Sequence, residues 1–314
     1  MLVIGATQHT GLYIPSTNTW AAGPDTIGTL SGSPAAFGAA DAAAAILPNG
    51  PVIFTADAGV SRFTSSGNIT SGSNIITNIP STAILQRVWK VTGFGIPAGS
   101  EITSVDSPTE VHISQNATAT EASDSIIWGG TFSPPTQIFD FDPVADTTNS
   151  VSPALPDPNL PVIGSYVTRM LVLPTGQMLF SDSTSQIWAY TPSGAPNPAL
   201  RPVINSVTYN GGGVFTLTGQ KLSGQSAGAA YGDDSQMNEN YPIIRMQTPT
   251  GNVYYARATN WSSTNVDGGT TPETVNFTLN PAITPGNYVL IVSGAGISSF
   301  PVFINITAAE VAGL

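Results

Sequence analysis

The side chains most able to do acid–base or metal chemistry in this 314-residue chain are 19 carboxylates and two histidines, and there is no cysteine. A thiol nucleophile, a thiolate metal site and a disulfide scaffold are therefore excluded. Asp140, Asp142 and Asp146 cluster near a strand end and offer the oxygen ligands calcium takes, but they lack the Gly and Glu framework of a calcium loop. Solvated carboxylates around a turn are the preferred reading. Asp233-Asp234 follows Gly232 and reads as a turn, because Asp bonds its own backbone there. Carboxylates paired across a cleft for glycoside hydrolysis would arise by chance among so many acids. Gly224-Gln225-Ser226-Ala227-Gly228 spells G-x-S-x-G. A nucleophile elbow needs a strand before it and a helix after it. This string lies instead in a small-residue stretch, in a C-terminal region without a histidine to act as base. His112 sits in an alternating segment and reads as a surface or packed residue. Trp20, Trp128, Trp188 and Trp261, with Tyr254 and Tyr255, have the flat faces that stack on sugars, although aromatics in sheets more often fill the space between them. Gly211-Gly212-Gly213 connects strands, and no phosphate-binding motif follows it. No catalytic, cofactor-binding or metal-binding residue is predicted.

The elements that would position such residues announce themselves by repetition. Leu47-Pro48-Asn49-Gly50-Pro51-Val52-Ile53-Phe54-Thr55 is echoed by Leu173-Pro174-Thr175-Gly176-Gln177-Met178-Leu179-Phe180-Ser181. Each reads as a strand, a Pro-x-Gly turn and an apolar strand. Aromatic-x-Pro closes a strand at Tyr13-Ile14-Pro15, Phe141-Asp142-Pro143 and Tyr190-Thr191-Pro192. A repeated hairpin followed by a further strand is a mark of stacked β-sheet blades.

Composition agrees. Thirty-two glycines and 26 prolines suit many short strands joined by tight turns. Only 9% of residues are charged, against roughly 25% in an ordinary soluble domain. Ser, Thr, Asn and Gln must wet the surface, as in secreted, cell-surface and virion proteins. The net charge of −11, with two Lys and six Arg in no cluster, argues against nucleic acid and anionic membrane as partners. No apolar run approaches the roughly 20 residues of a membrane span. Met1-Leu2-Val3-Ile4-Gly5 has no charged n-region or cleavage site and reads as a strand already under way. It implies either a start trimmed from a longer protein or export without a signal.

An all-β fold in four stretches is predicted. Residues 1–59 and 132–200 carry blade material, with strands at Leu2 to Ile4, Gly11 to Pro15 and Gln137 to Phe141, the second hairpin copy at Thr168 to Ser181, and a strand after it at Gln186 to Tyr190. The run Ala35 to Ala45 suits a helix by composition. It leads straight into a Pro-x-Gly turn, so a buried strand is expected. Asp146 to Gly164 reads as a Pro-rich loop and Pro196 to Pro202 as a stiff linker. Residues 60–131 are Ser/Thr/Ile-rich, with alternating segments at Val88 to Val91, Glu101 to Val105 and Glu110 to Ile113. They read as a small β module inserted into a blade loop. Residues 201–314 show about seven short strands separated by turn signals, the pattern of an immunoglobulin-like sandwich.

Two resemblances follow from particular phrases. Gly67-Asn68-Ile69-Thr70-Ser71-Gly72-Ser73, Gly95-Ile96-Pro97-Ala98-Gly99-Ser100 and Ser114-Gln115-Asn116-Ala117-Thr118-Ala119-Thr120 resemble modules that recur in phage virion and bacterial surface proteins. That likeness implies structure rather than chemistry. Tyr231-Gly232-Asp233-Asp234-Ser235-Gln236-Met237, Asn240 to Arg245 and Val253 to Ser263 resemble the sandwich domain of bacterial relatives of galactose oxidase and glyoxal oxidase, in which kelch-type blades precede such a sandwich. The likeness covers roughly residues 1–59 and 132–308. It implies a mononuclear copper held by two Tyr and two His, with one Tyr cross-linked to Cys. Here the cross-link has no Cys, and the family's Tyr-His pair is replaced by Tyr166-Val167. The sandwich holds no His, and His9 and His112 match no ligand position. A copper site needs several imidazoles, so a working copper radical oxidase is not expected.

A closed propeller uses about four to eight blades, and this chain has material for about two and a half to three. Unclosed blades expose flat faces and strand edges, both sites of association. The expected function is therefore a non-catalytic, extracellular structural or adhesive protein that forms homo-oligomers in a virion, surface filament or sheath. A carbohydrate-binding secreted protein, or a fragment of an oxidase-like enzyme, is the alternative.

Overall fold

The computed structural model describes residues 1–314 apart from 6, 31, 40, 59–62, 86, 88, 130–132, 153–154, 225–240, 264–268 and 314, with Ser133 described by its backbone only. The protein is all-β, with 50% of the chain in strands and 4% helical. It divides into two compact units. One holds Met1–Ala43, Ile53–Thr168 and Asp182–Thr184; the other holds Ala44–Val52, Arg169–Ser181 and Ser185–Leu314.

In the first unit, Leu2–Ile4, Thr10–Ile14 and Thr19–Ala22 form an antiparallel meander. A larger sheet orders Thr147–Ser150, Ser133–Asp142, Val52–Ala58, Ser33–Gly38 and Ile27–Leu30. It curls until it is nearly a closed barrel. The Gln137 amide bridges the gap, donating to the Thr29 carbonyl at 2.6 Å and accepting from the Thr29 N–H at 3.3 Å. Phe139 packs on Phe37 and Phe54 with ring centroids 5.3 and 5.7 Å apart. The alanine-rich run is strand, as expected, at Ser33–Gly38 and again at Ala44–Ile46. Burial of Ala35, Ala36 and Phe37 together covers both faces of the chain there, which outweighs alanine's helical preference. The segment after Asp146 is not wholly loop. Thr147–Ser150 returns alongside Phe139–Asp142, with Phe139 opposite Ser150 and Asp142 opposite Thr147.

Residues between 63 and 128 keep a core of their own. Ile69, Trp89, Val111, Ile126 and Trp128 are among its buried members. Phe63–Ile69 pairs with Glu121–Trp128, so the chain arrives and leaves on neighbouring strands. The three phrases singled out above are hydrogen-bonded together. Gly72 donates to Ala117 at 2.8 Å, Ala117 to Ser73 at 2.8 Å, and Thr118 to Gly95 at 2.7 Å. Gly95 has φ +69°, and a Cβ there would lie 2.6 Å from the Ala119 Cβ, so this crossing accepts only glycine without strain. The alternating segment expected at 88–91 is a strand only from Val91, in Val91–Thr92, with Lys90 in an isolated bridge to Glu101; Val88 lies outside the described residues.

In the second unit the repeated phrase is one turn used twice. Leu47 N–H bonds Pro51 O at 2.8 Å and Gly50 N–H bonds Leu47 O at 2.9 Å; Leu173 bonds Gln177 at 2.7 Å and Gly176 bonds Leu173 at 2.9 Å. The two turns are neighbours, for a Cβ on Gly176 would sit 3.4 Å from Pro48 Cγ. Arg169–Val172, Met178–Ser181 and Ile187–Tyr190 form a second three-stranded meander. The stretch read as a stiff linker contains a 3-10 turn, Pro198–Leu200, and is fastened down: Asn197 N–H bonds Pro48 O at 2.8 Å, and the Arg201 guanidinium donates to Ser298 O at 2.6 Å.

Two sheets then share one core. The first orders Val203–Gly211, Val214–Gln220, Glu273–Thr278 and Arg257–Thr259; the second orders Val253–Tyr255, Ile243–Gln247, Gly286–Gly294 and Ile297–Ser298, with Val302–Ile306 also on Gly286–Gly294. Phe215, Leu217, Val275 and Phe277 from one face meet Ile244, Met246, Leu290 and Val292 from the other. The alternating burial of Val214–Gln220 follows from this one-sided packing.

Candidate functional site

The structure scatters the residues singled out for chemistry. His9 Nδ1 lies 2.7 Å from Asp25 Oδ1, and His112 Nδ1 lies 2.6 Å from Asp106 Oδ2. Each histidine has an aspartate of its own, His9 just before Thr10–Ile14 and His112 within Glu110–Ile113. The His112 hydrogen bond holds the Asp106 carboxyl below its ordinary range. Asp142 Oδ1 accepts from the N–H groups of Val144 and Ala145 at 2.8 and 3.1 Å, and Asp140 Oδ1 accepts from Asn149 at 3.3 Å. Asp142 thus turns the hairpin and Asp146 sits in it with φ +52°, in keeping with the turn reading. Among the described residues no group of three or more His, Asp or Glu side chains is placed to hold a metal ion. Asp233-Asp234 and Gln225 to Gly228 of the G-x-S-x-G string lie outside the described residues.

The aromatics divide. Trp128 is wholly buried and donates from Nε1 to Ser65 Oγ at 2.8 Å, and Tyr254 packs edge-on to Tyr288 in the sandwich core. The Trp188 Nε1 is buried. Trp20 is 60% exposed, lies over Gly11 and leans on Tyr13 at 5.2 Å. Trp261 stacks on Tyr241 at 5.7 Å, and both, like Tyr255, are part of the surface.

The residues brought together most tightly were not signalled by any motif. Asp57 is fully buried in Val52–Ala58. Its Oδ1 accepts from Thr136 Oγ1 at 2.6 Å and from Ser165 N–H at 2.7 Å, and its Oδ2 accepts from Ser165 Oγ at 2.9 Å. Thr55 Oγ1 and Thr168 Oγ1 meet at 2.9 Å beside it, and Thr168 Oγ1 donates to Ser165 O at 2.6 Å. Burial pushes the Asp57 carboxyl up, against the pull of the Thr136 and Ser165 hydrogen bonds. This carboxylate fastens the end of the Pro-rich segment to the sheet. Alternating Thr and Asp in a run of strand residues was the only available signal, and it reads equally as a solvated face.

The copper implied by the oxidase resemblance does not fit these residues. There is no Cys, both histidines are engaged with aspartates, and Tyr166 lies on the 3-10 turn Ser165–Val167 with its side chain largely exposed. Among the described residues no helix is long and apolar enough to cross a membrane.

What the surface does offer is apolar sheet. In the first meander Met1, Val3, Tyr13, Trp20 and Ala22 share one face around Gly11, with Tyr13 directly opposite Trp20. In the second meander Met170, Val172, Met178 and Phe180 are buried on one side, while the other presents Leu171 and Ile187, 50% and 58% exposed, around Leu179 and Ala189. No family model matches the chain, and a search of curated proteins returns no match.

Proposed function

We propose that this protein is a non-catalytic structural or adhesive component outside the cell, self-assembling in a virion, surface filament or sheath. In this reading residues 1–59 and 132–200 are kelch-type blades of an incomplete propeller, 60–131 an inserted module and 201–314 an immunoglobulin-like sandwich, similar to galactose oxidase but without its copper chemistry. One observation carries it: the first meander presents an apolar face to water, and the second presents Leu171, Leu179, Ile187 and Ala189 beside Arg169 and Ser181. Contiguous apolar faces of this kind mark association surfaces. Low charge and a Ser/Thr-rich surface favour close packing of copies over solvation of each one.

The size of the effect follows from Trp20. An aromatic of this size buries roughly 200 Å², and Trp20 leaves 60% of its surface open. Seating it in an interface removes about 120 Å², or about 3 kcal/mol at about 25 cal/mol per Å². That is roughly a hundredfold in dissociation constant. Sedimentation velocity over a dilution series should show a defined oligomer, with Trp20→Ser dissociating at about a hundredfold higher concentration. A folded monomer at every concentration overturns the proposal.

Exposed aromatics favour one second reading, a glycan-binding secreted protein. The Trp261–Tyr241 stack and Trp20 are the platforms. Binding on a glycan array that Trp261→Ala abolishes would support it, and a blank array would reject it.

A further inference from the structure

We propose that Asp157 and Asp182 hold one proton between them, with Asp157 as the acid donating from Oδ2 to the Asp182 carboxylate, and that this bond is a pH-operated latch on the segment 155–168. Asp157 and Asp182 are 5% and 2% exposed. Asn159 ties them together: its N–H donates to Asp157 Oδ1 at 2.9 Å, and its Nδ2 donates to Asp182 Oδ2 at 2.6 Å. Asp182 Oδ1 also accepts from Thr184 N–H and Oγ1, at 3.1 and 2.6 Å. Asp182 is thus furnished with donors as an anion should be.

Asp157 is not so furnished. Its Oδ2 is buried without a hydrogen-bond partner, and its charged neighbour is the Asp182 carboxyl. Neither aspartate is in an ion pair among the described residues. A buried acceptor facing a carboxylate is costly, and a proton on Oδ2 removes both the orphan and the like-charge repulsion. The asymmetry has the same sense. Burial and the Asp182 charge push Asp157 up against the pull of Asn159. At Asp182 burial also pushes up, but the donors from Thr184 and Asn159 outweigh it and leave that carboxyl low. The protons of such a pair belong to the pair, and come off in two separated steps.

The latch lies where it can hold the chain. Asp157 and Asn159 begin the return that leads to Leu160, whose carbonyl accepts from Thr136 N–H at 2.8 Å, and on to Ser165 at the Asp57 clamp. Removing the shared proton leaves two anions in a buried space and frees that return. A group whose folded-state pKa is raised stabilises at low pH and loses the contribution as pH climbs through the raised value.

The test is hydrogen–deuterium exchange of the full chain over a pH series, read as protection in 155–168 after correction for intrinsic exchange. Wild type should keep constant protection on the acid side, then lose it by up to tenfold per pH unit above the pair's upper titration. Asp157→Asn supplies an amide donor to Asp182 in place of the acid and should hold protection flat in 155–163, leaving to Asp57 only a fall centred on Ser165. Asp182→Asn, donating in the opposite sense, should also flatten it and covers the case in which the first variant does not fold. Protection in wild type that is independent of pH overturns the proposal. So does the same fall in both variants, which would assign the titration to Asp57. Protection that rises with calcium and falls with a chelator would also overturn it, because a cation would then neutralise the pair.

Discussion

Removing the Asp57 carboxylate tests whether a buried acid fastens the Pro-rich segment to the nearly closed sheet. Asp57→Ala removes three hydrogen bonds, from Thr136 Oγ1, Ser165 N–H and Ser165 Oγ. At about 1 kcal/mol each, the loss is about 3 kcal/mol, before any cavity cost. Asp57→Asn is gentler, because its carbonyl oxygen still accepts from Thr136 and Ser165 N–H while its amide meets the Ser165 hydroxyl, which can accept. A cost of about 1 kcal/mol is expected in acid. The pH dependence then separates charge from shape. Burial raises the Asp57 carboxyl in the folded state. The wild-type contribution is complete below the ordinary carboxylate range and lost as pH rises through the raised value. The amide that Asp57→Asn introduces does not titrate there. The deficit of Asp57→Asn relative to wild type must therefore shrink as pH rises, by about 1.4 kcal/mol for each unit by which the acid is raised. Urea unfolding followed by tryptophan fluorescence at a series of pH values reads this directly. A deficit that grows with pH, or an Asp57→Ala variant as stable as wild type, refutes the reasoning.

Two further outcomes probe the core of residues 63–128. Ile126 is fully buried in its core, so Ile126→Ala should cost about 2–5 kcal/mol and, in hydrogen exchange, loosen 63–128 without loosening the sandwich. Gly95→Ala meets both a left-handed backbone and Ala119 at 2.6 Å. It should cost about 1–3 kcal/mol in thermal unfolding, and an unchanged melting temperature would show that the three phrases do not depend on this crossing.

The fold class was legible because it rests on local chemistry. Pro-x-Gly at 48–50 and 174–176 makes the same turn, and both copies close with the same pair of hydrogen bonds. The alternating apolar residues of Val214–Gln220 and Glu110–Ile113 declare strands with one face buried. Thr147–Ser150 was missed because a polar edge strand gains its order from the partner it pairs with rather than from its own residues.

The amino-acid sequence by itself determined that this chain is all-β, poor in charge, and without the cysteine a copper radical cross-link demands. Such statements need only a residue's identity and its near neighbours. Tertiary structure alone decided which polar groups lose their water. Asp57 and Asp140 are both strand aspartates, yet the first is sealed among Thr136 and Ser165 and the second keeps part of its surface in solvent. Asp157 and Asp182 lie apart along the chain and are brought together beside Asn159. Burial and long-range pairing arise from packing the whole molecule, and no window of sequence contains them.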